Sequence, residues 1–141
     1  MTLHAFTDGA SRGNPGDSGI GFVVKDENGS VLLSVNGYIG KTTNNVAEYT
    51  ALIALLKRMI RNPPTAGSKL IVHSDSELMV RQINGTYKVK DEELKRYYKR
   101  VIDLRHKAPF EFELRHVSRE QNRDADRLAN VGIDTKKRIA I

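Results

Sequence analysis

The order of periodicities along the chain predicts an α/β domain: a mixed five-stranded sheet, three antiparallel strands first and two parallel ones after, flanked by helices. Three observations carry this. Runs of apolar alternation joined by short turns fill the chain as far as Ile39. A helical stripe then begins at Val46. After Pro63-Pro64, short apolar runs alternate with helical stretches, giving the order βββαβααβα.

Leu3 to Thr7 reads as a short first strand, and Ile20 to Lys25 and Val31 to Ile39 as the second and third. Between the latter two, Asp26-Glu27-Asn28-Gly29 has the residues of a tight turn, so the three form an antiparallel meander. Val46 to Arg61 has helical period and is stopped by Asn62-Pro63-Pro64, because proline lacks an N–H and clashes with the preceding turn. Lys69 to His73 is a short apolar run of buried-strand type. Ser76 to Ile83 and Glu92 to Arg105 are helical, Phe110 to Arg115 is the last strand, and Asn122 to Val131 a last helix ending near Gly132. The expected domain is 1–133, with 134–141 as a C-terminal tail, frayed or docked.

A chain of 141 residues, 39% hydrophobic and 28% charged, suits one globular domain with a real core. It contains no cysteine, which excludes disulfides and thiolate metal sites. No apolar run approaches the ~20 residues that span a bilayer. Met1-Thr2-Leu3-His4-Ala5-Phe6 lacks the parts of a signal peptide. A cytoplasmic protein without membrane contact is the expectation. The net charge of +6 is uneven: residues 1–80 carry seven basic and seven acidic side chains, residues 81–141 sixteen and ten. A polyanionic partner met by the second half is one reading; a solvated helical surface is the other.

Several acids stand where the pattern calls for apolar residues. Leu52, Leu55, Leu56 and Met59 form a helical stripe, and one turn earlier the same face carries Glu48, for which a helix-start acid favouring the macrodipole is the competing role. Asp8 closes the first strand and Asp75 follows the fourth; carboxyl ends of neighbouring strands converge on one sheet edge. A helix-capping role competes for Asp75, ahead of Ser76-Glu77. Asp124 and Asp126, two residues apart on a helix, face about 200° apart, so only one joins an inward cluster. Asp126, on the side of Ala129, is favoured without being fixed. Gathered carboxylates repel one another and raise each other's pKa. Hard divalent cations remove that cost, and two of them about 4 Å apart drive in-line attack on a phosphodiester.

Four blocks resemble type 1 ribonuclease H: Thr7-Asp8-Gly9-Ala10-Ser11-Arg12-Gly13-Asn14-Pro15-Gly16, Thr43-Asn44-Asn45-Val46-Ala47-Glu48-Tyr49, Ser74-Asp75-Ser76 and Ala125-Asp126-Arg127-Leu128-Ala129. Their order and spacing hold over nearly the whole chain. The resemblance implies the ribonuclease H-like fold, hydrolysis of the RNA strand of RNA–DNA hybrids, and metal binding by Asp8, Glu48, Asp75 and Asp126, so it selects Asp126 over Asp124. It implies two Mg²⁺ ions, with Mn²⁺ able to substitute. It also implies substrate contacts at Gly9, Ala10 and Ser11, at Asn44 and Asn45 through 2′-hydroxyls, and at Lys41 through a DNA phosphate. Helix capping is the competing role for Asn44 and Asn45.

Two departures stand out. Arg119 occupies the position of a histidine that many relatives carry before the last helix. An arginine stays protonated, so it can hold phosphate or developing charge but cannot act as a base. His116 matches a neighbouring, more often structural position. The stretch between Ile83 and Leu94 is too short for the Lys- and Trp-rich protrusion of many bacterial members, which marks a compact, archaeal-type form. Hybrid affinity then falls to Lys88, Lys90, Lys95, Arg96, Lys99 and Arg100, with Tyr87, Tyr97 and Tyr98 as packing residues. Some archaeal-type relatives also cut double-stranded RNA, which widens the expected substrate range. The chain is expected to be a monomer. A non-catalytic binding module on the same fold is the alternative.

Overall fold

The computed structural model describes residues 1–141. Its five strands are β1 (Thr2–Gly13), β2 (Gly16–Lys25), β3 (Val31–Thr42), β4 (Lys69–Ser74) and β5 (Glu111–His116). They lie in the order β3-β2-β1-β4-β5, antiparallel across the first three and parallel from β1 to β4 to β5. The helices are α1 (Asn44–Arg61), α2 (Glu77–Ile83), α3 (Glu92–Lys107) and α4 (Arg123–Thr135). No helix is long and apolar enough to cross a membrane.

The core lies between α1 and the sheet. Leu52, Leu55 and Leu56 are fully buried with Ala5, Leu70 and Val72, and α3 closes over α1 with Leu94 and Val101. Tyr97 and Tyr98 pack against this core, as expected, whereas Tyr87 is exposed beneath the Arg81 guanidinium.

The sequence under-reads the ends of several elements, three of them for one reason. β1 runs on through Asp8 to Gly13, β2 starts at Gly16 rather than Ile20, and α4 continues past Gly132 to Thr135. Their small residues look like turns and stops but serve close packing of helix on sheet. A Cβ on Gly19 would lie 2.3 Å from the Ala129 carbonyl oxygen, and one on Gly132 would lie 2.4 Å from the Gly37 carbonyl oxygen. α4 therefore rests directly on the backbone of β2 and β3.

The end of the chain docks. The Tyr38 N–H donates to the Lys137 carbonyl at 2.9 Å, and the Ile139 N–H to the Tyr38 carbonyl at 3.4 Å. Ile139 fills the space left by Gly37. Because β3 is an edge strand, residues 137–139 lie along it as a short parallel addition to the sheet.

Candidate active site

Four elements each supply one carboxylate, and the sheet brings them to a single edge. β1 and β4 pair as far as Thr7↔Ser74; there β4 ends while β1 runs on. Asp8 and Asp75 stand where the two strands part. Asp75 does not cap α2: the Ser76 hydroxyl does, accepting from the Met79 N–H at 3.3 Å. Glu48 heads the apolar stripe of α1 and is as buried as the leucines below it, 5% exposed. Its approach depends on Gly9, where a Cβ would lie 2.2 Å from the Ala47 carbonyl carbon. The Gly9 N–H instead donates to Glu48 Oε1 at 2.7 Å. Asp126 sits in the first turn of α4 and faces the same cleft as Asp8, whose carboxyl it helps to push up, while Asp124 points outward to Lys25 at 3.5 Å.

Oxygens of Asp8, Glu48 and Asp75 lie within 4.8 Å of one another. With Asp126 and Arg119 they line a cleft of ≈570 Å³. Burial, then the charges of Glu48 and Asp75, push Asp8 up to about 10. Burial and Asp75 push Glu48 up to about 8, against the pull of the Gly9 N–H. None of the four acids has a lysine, arginine or histidine in salt-bridge range. A cation-free cluster offering only hard oxygens fits a hard divalent ion and does not fit a thiophilic one.

Other predicted residues divide. Gly9, Ala10, Ser11 and Asn44 line the acidic cleft, and the Ser11 hydroxyl also donates to the Thr42 carbonyl at 2.9 Å. Neither Asn44 nor Asn45 caps α1, because the Thr43 hydroxyl accepts from the Val46 N–H at 3.3 Å. Asn45 is exposed and lies outside the cleft lining, as does His116. Lys41 lines a second cleft, and Lys88 a third beside Tyr87 and Tyr98; Lys90 is exposed ahead of α3.

Sequence reasoning missed three residues. Asn130 lines the cleft, its amide donating to the Asp126 carbonyl at 3.0 Å and to the Asp126 carboxylate at 3.4 Å. Arg12 reaches from β1 to Asn130 Oδ1 at 3.4 Å and to Asp134 at 2.6 Å. Asn122 is at the cap position of α4 but makes no cap bond; its amide crosses to the Thr7 carbonyl at 2.8 Å, next to Asp8. Only the one-turn spacing of Asn130 from Asp126 was visible beforehand.

Comparison with known proteins covers nearly the whole chain. The family model described as "Reverse transcriptase-like" matches residues 6–132. Ribonuclease HI of Halobacterium salinarum is 37% identical over 94% of this chain, which spans 64% of that protein's length. Its crystal structure superposes with a TM-score of 0.88 at 35% identity, covering 96% of this chain and 99% of that one. The chain spans only 36% of the bifunctional protein Rv2228c of Mycobacterium tuberculosis, at 39% identity over 94% of its own length. Ribonuclease H of Methylococcus capsulatus is 32% identical over 94% of this chain and 90% of its own. LC11-RNase H1, isolated from compost by a metagenomic approach and crystallised in complex with an RNA/DNA hybrid, gives a TM-score of 0.90 at 41% identity, over 94% of this chain and 97% of that one. Sequence and backbone thus agree over the same span, and the chain belongs to the type 1 ribonuclease H family.

Proposed function

We propose that this chain hydrolyses the RNA strand of RNA–DNA hybrids by a two-metal mechanism, leaving 5′-phosphate and 3′-hydroxyl ends. The observation that carries the proposal is the cluster of Asp8, Glu48 and Asp75 with Asp126 on the same cleft. That LC11-RNase H1 is crystallised with an RNA/DNA hybrid supports the choice of substrate. Asp8, Glu48, Asp75 and Asp126 would hold Mg²⁺, for which Mn²⁺ can substitute. Bound there, the metal supplies Lewis acidity toward the attacking water and the leaving oxygen.

The protein's own groups do the rest. The backbone from Gly9 to Ser11 lets the cut strand lie close to the acids. Asn44 faces the same cleft with an amide that both donates and accepts, which suits a 2′-hydroxyl. Arg119 lines the same cleft, exposed and without a salt-bridge partner, and holds a phosphate oxygen. We place the protein in the cytoplasm as a monomer, and extend its substrates to double-stranded RNA on the strength of its compact, archaeal-type form.

The deciding assay offers labelled hybrid, double-stranded RNA and double-stranded DNA with Mg²⁺ or Mn²⁺. Cleavage of the hybrid's RNA strand, lost in Asp75→Asn, is the expected result. Folded protein that binds hybrid and never cuts it would leave only a binding module. Arg119→Ala is expected to lower turnover about 10-fold, the worth of one charge-assisted hydrogen bond. Arg119→His should restore part of it with a new titration near pH 6.5. Unchanged turnover in both variants removes Arg119 from the reaction.

A further inference from the structure

A second cleft, of ≈420 Å³, lies on the other side of the start of α1. Asn44 and Glu48, one turn apart, face the acidic cleft; Val46 and Thr50, also one turn apart, face the second. Two residues along a helix turn the direction by about 200°, so the two clefts flank α1 across its ~10 Å width. Three cations line the second cleft: Lys41 from β3, Arg100 from α3 and Arg138 from the docked C-terminal segment. No acidic side chain lines it, and none of the three cations is in a salt bridge.

The surroundings of Arg138 hold it ready. Its guanidinium lies 5.5 Å from the centre of the Tyr38 ring. It also rests against Gly40, where a Cβ would come within 3.2 Å of Nη2. The nearby acid, Asp17, is engaged elsewhere: it accepts from the Tyr38 hydroxyl at 2.8 Å and pairs with Lys136 at 3.5 Å, with Lys41 adding to the local positive field. An arginine oriented by a ring and bare backbone, with its carboxylate competitor occupied, is prepared for an external anion.

We propose that the docked C-terminal segment is a substrate-binding element: Arg138, with Arg100, extends the DNA-phosphate contact that the family resemblance implies for Lys41, and holds a further backbone phosphate of the uncut DNA strand while the RNA strand lies in the acidic cleft. The inference rests on the hybrid-cleaving reading above and adds the tail to it. A duplex whose minor groove straddles the start of α1 puts one strand on each side, and the cleft without acids takes the strand that is only held.

The test compares wild type, Arg138→Gln, Arg138→Lys and Arg61→Gln. Arg61 lies at the far end of α1, about 25 Å from its start, and controls for loss of one charge. Arg138→Gln is expected to raise KM for hybrid roughly 3- to 10-fold with kcat unchanged. It should also flatten the slope of log affinity against log salt by about 0.9, one phosphate contact. Arg138→Lys should keep the wild-type slope, Arg61→Gln should change neither quantity, and melting temperatures of all four should agree. Neutral methylphosphonate linkages in the DNA strand should weaken wild type and leave Arg138→Gln less affected. Equal KM and slope in wild type and Arg138→Gln overturn the proposal while cleavage by wild type stands. Losses that add fully assign the contact away from the DNA strand and overturn it too. Absence of hybrid cleavage in wild type instead removes the ribonuclease reading itself.

Discussion

Asp8→Asn is expected to abolish cleavage and, in metal-free protein, to raise the melting temperature. The first effect follows from losing one of the four proposed metal ligands, in a reaction where Lewis acidity is worth several kcal/mol, about 10³-fold in rate. The second follows from the sign of the shift. The folded protein holds the Asp8 proton up to about pH 10 and that of Glu48 up to about pH 8, whereas the unfolded chain releases both near their ordinary values of 3.8 and 4.5. Stability from this pair is therefore full below about pH 4 and is lost as pH rises through those two folded values. Asparagine cannot ionise, so the variant's advantage should be absent near pH 4 and grow toward pH 8. In a domain of this size each kcal/mol corresponds to about 3–5 °C. Mg²⁺ should narrow the gap at pH 8 by stabilising wild type more than the variant. Melting curves near pH 4, 6 and 8, with and without Mg²⁺, check this. Coincident curves for both proteins at every pH would show that the acids do not strain the metal-free fold.

Gly9→Ala should be among the most damaging single-methyl changes. The added carbon would meet Ala47 and Glu48 backbone at 2.2–2.4 Å, and neither neighbour is a flexible side-chain end. α1 must lift from β1, which breaks the Gly9 N–H bond to Glu48 and moves that carboxylate away from Asp8 and Asp75. Overpacking of this kind costs about 3 kcal/mol, so a fall in melting temperature of roughly 10 °C is expected. Hybrid cleavage and metal affinity should fall with it. Gly29→Ala provides the contrast: open space surrounds Gly29, and only its φ of +82° penalises a side chain, by about 1 kcal/mol. Equal stability of the two variants would contradict the close seating of α1.

Glu48 was legible because a glutamate inside an apolar stripe contradicts its neighbours, which outweighs the competing role of a helix-start acid. Asp75 was legible from its strand. Asp8 was placed at a strand end, yet β1 continues past it; the edge that matters is where β4 stops, which no local pattern encodes. Asp126 needed the family resemblance, and the structure supplies the physical reason in the Asp124–Lys25 pair. Arg12, Asn122 and Asn130 were invisible because Arg12 meets Asn130 across 118 residues and Asn122 meets Thr7 across 115. The glycine-rich ends of β1 and β2 fall outside the expected strands because low strand propensity and close helix contact select the same residues.

The docked tail has a consequence for how the molecule behaves among its own copies. An open sheet edge is a template: its free N–H and C=O groups invite a strand from another molecule. Here the invitation is answered from within, since Lys137 and Ile139 occupy Tyr38 at the middle of β3. Arg138, between them, puts a positive charge on the same edge. A chain shortened after Thr135 would carry the same acids on the same sheet but expose that edge. Its self-association would then rise with concentration more steeply than that of residues 1–141.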